Sequence, residues 1–315
     1  MWLITTVCLI IVTISLKFYV KLTCGTCICD TVMTNKVVII TGANTGIGFE
    51  TAKDLAKRGA KIILACRDEV KGIQARDDII QSTGNDNVIF KQLNLGSFTS
   101  VRTFAADILK TEQSIHVLIN NAGTGILDNA LTEDNLPIEA QVNHFAPFLL
   151  TVLLLPLLKS SAPSRIINLS SIMHLFGKID PETFHKQSKN IFQRRRIYSN
   201  TKLANLLFTL KLSQLLKDTH VTVNAIHPGA VSTDIFRDKP SIMRYLIKLV
   251  WKTPYEGAQT SIHLAVAPEL EKVTGKYFVD CREERPSKSA KDIQLADKLW
   301  KLSQVVTNVD TEKLI

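Results

Sequence analysis

Short apolar runs recur along this chain, and each gives way to a longer stretch of polar and apolar residues mixed at helical spacing. The runs are Lys36–Ile40, Lys61–Cys66, Val88–Leu93, Ile115–Ile119, Arg165–Leu169 and Val221–Ile226. Within them β-branched and other apolar residues follow one another with little polar alternation. Runs of this kind are expected of strands covered on both faces, as in a parallel sheet. A helical stretch from about Phe49 to Arg58 follows the first run, and Leu203–Phe208 belongs to another. Strands that alternate with helices predict an α/β fold built on a doubly wound parallel sheet. No repeat, low-complexity tract or linker interrupts residues 35–315, which read as one domain.

The N-terminus follows a different pattern. Met1 to Leu16 carry no charged side chain, and Lys17 and Lys21 flank Phe18-Tyr19-Val20. With Lys17 snorkelling, the apolar span reaches about 20 residues, enough to cross a bilayer. Residues 1–21 are therefore expected to form an uncleaved transmembrane signal anchor. A cleaved signal peptide fits less well, because no basic residue precedes the apolar run and cysteines stand where a small-residue cleavage site belongs. Both lysines follow the span, so the positive-inside rule predicts a single pass with the domain in the cytosol. Residues 22–34 then form a juxtamembrane linker carrying Cys24, Cys27 and Cys29. These read as free or acylated thiols; a zinc site would need more than the neighbouring Asp30.

Composition narrows the function classes. The 315 residues are 45% hydrophobic and carry a formal charge of +9. The basic residues are scattered, and no finger or other nucleic-acid module is present, so nucleic acid is not an expected partner. Of six cysteines, only Cys66 and Cys281 lie in the body of the chain, which is no disulfide framework and fits a reducing compartment. His144, His174, His185 and His227 lack ligand spacing, and no metal site is assigned.

Two short segments carry the chemistry. The first strand runs into Thr41-Gly42-Ala43-Asn44-Thr45-Gly46-Ile47-Gly48 and then into a helix. Strand, glycine-rich turn and helix in that order make a Rossmann-type phosphate cradle, with glycines where the backbone must turn or be approached closely. The helix N-terminus supplies free N–H groups and a positive dipole end. The second strand ends at Arg67, which suits the 2′-phosphate of NADP; an acid there would select NAD, and Asp68 follows directly. Further on, Tyr198 and Lys202 stand four residues apart, on one face of a helix. A lysine so placed is expected to stabilise the phenolate and lower the Tyr198 pKa from about 10.

With these pieces in order, the chain resembles a short-chain dehydrogenase/reductase over about Lys36 to Ser303. The motifs are TGANTGIG from Thr41, NNAG from Asn120, VNH from Val142, LSS from Leu169, YSNTK from Tyr198 and HPGAVST from His227. Finer matches at Ala65-Cys66-Arg67, Glu256–Thr260, Gly275–Phe278 and Lys298–Trp300 are similar to the membrane-anchored, NADP-dependent retinol dehydrogenase group. The resemblance implies Tyr198 as general acid/base, with Ser171 hydrogen-bonding the substrate oxygen. It implies that Lys202 binds the nicotinamide ribose and that Asn143 completes a proton relay. Gly42 to Gly48, Arg67, Asn94, Leu95, Asn121, Ala122 and Gly123 would hold the adenosine and phosphates. Pro228, Gly229, Val231 and Thr233 would join Tyr198 and Lys202 at the nicotinamide end.

Four features depart from the family pattern or stand beside it. Asn94 replaces a usual Asp. Pro147 follows His144-Phe145-Ala146 and removes a helical N–H, which leaves room for a kink that shifts Asn143 or reshapes the pocket. Lys178 to Arg196 is polar and basic and reads as a loop, Arg194-Arg195-Arg196 included. In Ser241–Lys252, Arg244, Lys248 and Lys252 fall at i, i+4 and i+8 on an otherwise apolar segment, as in a substrate lid, an interfacial helix or a core helix.

The resulting expectation is an NADP(H)-dependent oxidoreductase that interconverts a lipophilic alcohol, retinol first, with its aldehyde or ketone. Its partners would be that substrate and membrane lipid, with a homo-oligomer left open, and its place the endoplasmic reticulum membrane. A reductase of sterols or lipid-derived aldehydes is the alternative enzyme. A catalytically silent NADP-binding membrane scaffold is the alternative of another class.

Overall fold

The computed structural model describes residues 15, 17–125, 130–187, 191–232, 249–312 and 314. Eight strands are β1 Val37–Thr41, β2 Lys61–Cys66, β3 Val88–Gln92, β4 Val117–Asn120, β5 Ser164–Leu169, β6 Val221–His227, β7 Tyr277–Val279 and β8 Arg282–Glu284. They form one sheet in the order β3-β2-β1-β4-β5-β6-β7-β8. All pairings are parallel except β7 with β8. The strand order reverses between β1 and β4, which places a crevice at their carboxyl ends. The doubly wound α/β fold expected from the sequence is the fold observed.

The core explains the unbroken apolar runs. All five residues of β1 are buried. Val38 and Ile40 face a layer containing Ala52, Leu55 and Ile262, whereas Val37 and Ile39 face Phe104, Leu149 and Phe208. Side chains alternate between the two faces, and helices cover both. These helices are α1 Gly46–Lys57, α2 Glu69–Thr83, α3 Phe98–Thr111, α4 Ile138–Ser160, α5 Ile191–Leu215, α6 Pro254–Val266 and α7 Ile293–Thr307. The six expected strands are present, with ends shifted by at most two residues. The short β7 and β8 went unread, since three-residue segments carry too little pattern.

Two expectations about the chain path are corrected. Residues 178–196 were expected as a loop, but α5 begins at Ile191 and carries the arginine triplet into the helix of Tyr198. The stretch Ile191–Leu215 contains no Gly or Pro, so nothing local stops the helix there. Residues 22–34 were expected as a linker, but most of that segment lies against α1 and α6. Met33 is buried and donates its N–H to the Arg58 carbonyl, and the Arg58 guanidinium donates to the carbonyls of Cys29 and Thr31.

Among the described residues, α4 is the one helix long and apolar enough to span a bilayer. It is a core helix packed against the sheet, with Phe145, Phe148 and Leu149 buried. The expected anchor lies outside the described residues except for Ser15 and 17–21. Residues 17–23 are helical, with Phe18, Tyr19 and Leu22 exposed.

Candidate active site

The glycine turn sits at the carboxyl end of β1. Gly42 has φ +65° and Gly46 φ +60°, both in the left-handed region that glycine enters without strain. Gly48 is required by space instead: a Cβ there would lie 2.5 Å from both the Asn121 side-chain amide and the Gly42 carbonyl. Helix α1 starts at Gly46, three residues earlier than its pattern announced, so its unpaired N–H groups belong to the turn itself. Ala43, Asn44, Thr45 and Ile47 complete that turn.

The turn is braced from β4. The Thr41 hydroxyl accepts the backbone N–H groups of Asn121 (3.1 Å) and Ala122 (3.0 Å). The Asn121 side chain in return donates to the carbonyls of Thr41 (2.8 Å) and Gly42 (3.2 Å). Asn121 thus shapes the cradle rather than reaching into it. Asn94 is committed in a similar way. Its Oδ1 accepts the Gly96 N–H at 3.0 Å, and its own N–H donates to Ser100. Asn retains the acceptor that this turn uses, which explains why Asp can be replaced here. Leu95 beside it is buried in the core.

Past the turn, at the end of β2, lies a cavity of about 410 Å³ lined in part by Asn44, Thr45, Arg67 and Lys71. Arg67 and Lys71 are both exposed, so two cations border it. Asp68 caps α2 by accepting the Lys71 N–H and lies 3.7 Å from the Lys71 ammonium. Its carboxylate is therefore engaged with the helix start. Lys71 escaped the sequence analysis because a surface lysine in a first helical turn has no distinguishing pattern.

The residues expected to handle the proton converge from three elements. Tyr198 and Lys202 come from α5, with the Lys202 ammonium 5.6 Å from the Tyr198 ring centre. Ser171 follows β5 and caps a short 3₁₀ helix, Ile172–Phe176. Its side chain hydrogen-bonds that of Tyr198. Lys202 is buried and donates to the Leu169 carbonyl at 3.2 Å.

Asn143 completes the cluster from α4. Its Oδ1 accepts the Thr124 N–H at 2.7 Å, and its Nδ2 donates to the Thr124 carbonyl and the Thr201 hydroxyl. The Thr201 hydroxyl in turn donates to the Tyr198 carbonyl at 2.8 Å. Gly123 is the floor between them, since a Cβ there would lie 3.4 Å from Asn143 Oδ1 and 3.5 Å from Lys202 Nζ.

Beside Pro147, Asn143 is held by Thr124 and Thr201. The helix runs on through Pro147, and a π turn over Gln141–Phe145 precedes it. Pro147 has no N–H to offer the Asn143 carbonyl four residues back, and the wider turn lies where that bond is missing. The Thr124 clamp holds the Asn143 side chain independently of the bulge.

Burial sets the protonation states, and one expectation is reversed by it. The Tyr198 phenol is held above its usual value by burial, and its hydrogen bond with Ser171 works the other way. Lys202 does not lower the phenol as expected; its own pKa is pushed down to about 8 by burial. His227, at the end of β6, is pushed down to about 4 by burial and then by the Lys252 cation.

Lys252 does not belong to an exposed cationic stripe. It is 6% exposed, and its ammonium pairs with Asp280, at the sheet edge just after β7. Its carbonyl and N–H bond Ser232 and Ala230, which ties it to Val231 and the loop of Pro228 and Gly229. Arg244, Lys248 and Thr233 lie outside the described residues.

A switch-point crevice with a phosphate-type glycine turn and a Ser–Tyr–Lys cluster defines a nicotinamide-dependent oxidoreductase. The comparisons agree. The family model described as "short chain dehydrogenase" matches residues 36–242, and this chain belongs to that family. It is 43% identical over 296 residues to retinol dehydrogenase 12 of Mus musculus, covering 91% of each chain. Among solved structures, a protein of Mycobacterium paratuberculosis superposes with TM-score 0.72 at 30% identity, over 90% of this chain and 97% of that one. A short chain dehydrogenase of Shigella flexneri complexed with NADP superposes with TM-score 0.64 at 24% identity, over 81% and 100%.

Proposed function

We propose that this chain is an NADP(H)-dependent enzyme that interconverts a lipophilic alcohol, retinol in the first instance, with its carbonyl form. The observation that carries the proposal is the grouping of Ser171 with Tyr198, and of Lys202 with Asn143 beside Gly123, in a fold whose first strand ends in the glycine turn. The cradle fits a dinucleotide: Gly42 and Gly46 take left-handed backbone, and a side chain at Gly48 would strike the turn. When bound, the nicotinamide supplies the hydride chemistry. The turn at Gly42–Gly48 would hold the pyrophosphate, and Arg67 with Lys71 would hold the 2′-phosphate.

The chain's own residues then manage one proton. In the reductive direction Tyr198 donates it to the carbonyl oxygen, and Ser171 donates a hydrogen bond that holds that oxygen in place. Burial keeps the phenol protonated well above neutral pH, which favours its role as an acid. Lys202, whose ammonium lies 5.6 Å from the Tyr198 ring centre, would bind the ribose hydroxyls of the cofactor. The Asn143 carbonyl, released from its α-helical bond by Pro147, offers an acceptor for the water of a relay.

Two observations support a lipophilic substrate. Ile172, Leu175 and Phe176 follow Ser171 directly and are 48%, 51% and 65% exposed, an apolar rim beside the reacting atoms. The mouse relative of 43% identity is a retinol dehydrogenase. The uncharged N-terminal run supports a single-pass anchor of residues 1–21 in the endoplasmic reticulum membrane, with residues 35–315 facing the cytosol.

The test is purified protein with NADPH against retinal, steroid ketones and medium-chain aldehydes. Turnover should be highest with retinal; no NADPH oxidation with any carbonyl would remove the proposal. A glycosylation site added after Ile315 should stay unmodified in microsomes.

A further inference from the structure

We propose that Cys27, Cys29 and His263 form a zinc-class metal clasp that fastens the segment before β1 to helix α6. The sequence shows only Cys27-Ile28-Cys29, half of a ligand set. The fold adds His263 from a position more than two hundred residues later. The ligand atoms of the three residues all lie within 4.8 Å of one another, and Cys29 Sγ stands 3.9 Å from His263 Nδ1. Tetrahedral zinc, with bonds of about 2.3 Å to sulfur and about 2.0 Å to nitrogen, would place those two atoms about 3.6 Å apart. The Cys29–His263 pair lies within a few tenths of an ångström of that spacing.

The placement is built by groups that are not ligands. The Cys27 N–H donates to Gln259 Oε1 at 3.1 Å, and the Cys29 carbonyl accepts from the Arg58 guanidinium at 2.5 Å. Gln259 and His263 are four residues apart on α6, so one helical face holds the backbone at Cys27 and presents the imidazole. Between the cysteines, Ile28 is 88% exposed while both thiols are half-buried. Apolar packing alone would turn Ile28 inward. In extended chain, neighbouring side chains point to opposite sides, so turning both thiols toward His263 expels Ile28.

The donor set also selects the ion. Two thiolates and an imidazole suit a borderline-soft dication over calcium or magnesium, which take oxygen. The two thiolate charges would balance the ion. No fourth His, Cys, Asp or Glu joins the cluster among the described residues, so water would complete the tetrahedron. Helix α6 packs against α1, the helix that starts in the glycine turn. A metal at this clasp would therefore tie the membrane-proximal chain to the layer behind the phosphate cradle.

The test uses the full chain, reduced and detergent-purified, stripped with chelator and then dialysed against zinc. Elemental analysis should find one zinc per chain, and cobalt in its place should give thiolate charge-transfer and tetrahedral absorption bands. Cys29→Ser and His263→Gln should each weaken zinc binding at least tenfold, while Cys66→Ser, a thiol outside the cluster, should not. Zinc should raise the melting temperature of the parent and leave that of His263→Gln unchanged. NADPH binding by each variant serves as the check that it has folded. Substoichiometric zinc in the parent would overturn the clasp, as would undiminished zinc in both ligand variants. A disulfide or thioester-linked acyl chain on Cys27 or Cys29 in protein taken from membranes would overturn it equally.

Discussion

The two ends of the cofactor crevice are built on opposite principles. At the catalytic end, Lys202 and Asn143 are buried at 5% and 1% exposure, and a chain of hydrogen bonds fixes Asn143 and Thr201 relative to Tyr198. At the other end, Arg67, Asp68 and Lys71 stand exposed around an open cavity. Burial makes the first end electrostatically sensitive, because desolvation is the largest cause moving both Tyr198 and Lys202 from their ordinary values. Solvent screens the second, where charges can be exchanged without disturbing the fold. Chemistry is therefore expected to be intolerant of change, and cofactor preference open to it.

The largest effect should come from Tyr198→Phe. The phenol is the group asked to move the proton, so turnover should fall by several orders of magnitude while NADPH still binds. Retention of more than about a tenth of the parent rate in a single-turnover assay would place the acid elsewhere.

Lys202→Met should separate activity from stability. Turnover should fall strongly, yet the fold should gain. The unfolded chain holds the lysine proton up to about 10.5 and the folded chain only to about 8. Burial of the ammonium is thus a full penalty below pH 8 that fades as pH rises toward 10.5. Removing it should stabilise the protein at pH 7 by up to about 3 kcal/mol, at about 1.4 kcal/mol per unit. Denaturant titrations at pH 7 and pH 10 should show the gain shrinking at the higher value.

At the exposed end the effects should be smaller and confined to affinity. Arg67→Asp would replace the proposed phosphate partner with a repelling carboxylate that can accept ribose hydroxyls. A charge-assisted pair is worth about 1.5–3 kcal/mol, so NADPH affinity should fall roughly ten- to a hundredfold, with preference moving toward NADH. An unchanged ratio of the two dissociation constants would mean that Arg67 does not read the phosphate. Lys71→Ala should cost less, about fivefold or under, because its exposed ammonium is shared with Asp68. A loss equal to that of Arg67→Asp would make the two cations joint readers and blur the contrast between the ends.

Acid provides the mildest comparison. His144 is pushed down to about 3 by burial, and its Nε2 bonds Ser303. The unfolded chain takes up that proton near pH 6.5, so the stability this residue gives is lost as pH falls from about 6.5 toward 3. His144→Gln should flatten the stability profile in that window, with no change above pH 7.

Local pattern carried much of this molecule into view. The six long strands, the glycine turn and the Tyr198–Lys202 spacing are readable because each depends on neighbours within about one turn or one strand. Where a feature depended on distant partners, the pattern misled. Lys252 matched an i, i+4, i+8 stripe with Arg244 and Lys248, yet its partner is Asp280 across the sheet edge. Pro147 read as a threat to Asn143, yet clamping by Thr124 keeps that side chain in place.

What the sequence alone determined is the order of strands and helices, the turn that only glycine can make, and which residue types are available for proton transfer. These follow from periodicity and backbone sterics, which act over a few residues. The tertiary structure alone decided which groups are dry, and with that the direction in which the Tyr198, Lys202 and His227 pKa values move. It decided that Thr41 and Asn121 brace the cradle, that Lys71 joins Arg67, and that His263 meets Cys27 and Cys29. Each of those outcomes rests on desolvation or on contact between segments far apart in the chain. Neither quantity exists until the sheet has closed and its two helical layers have packed.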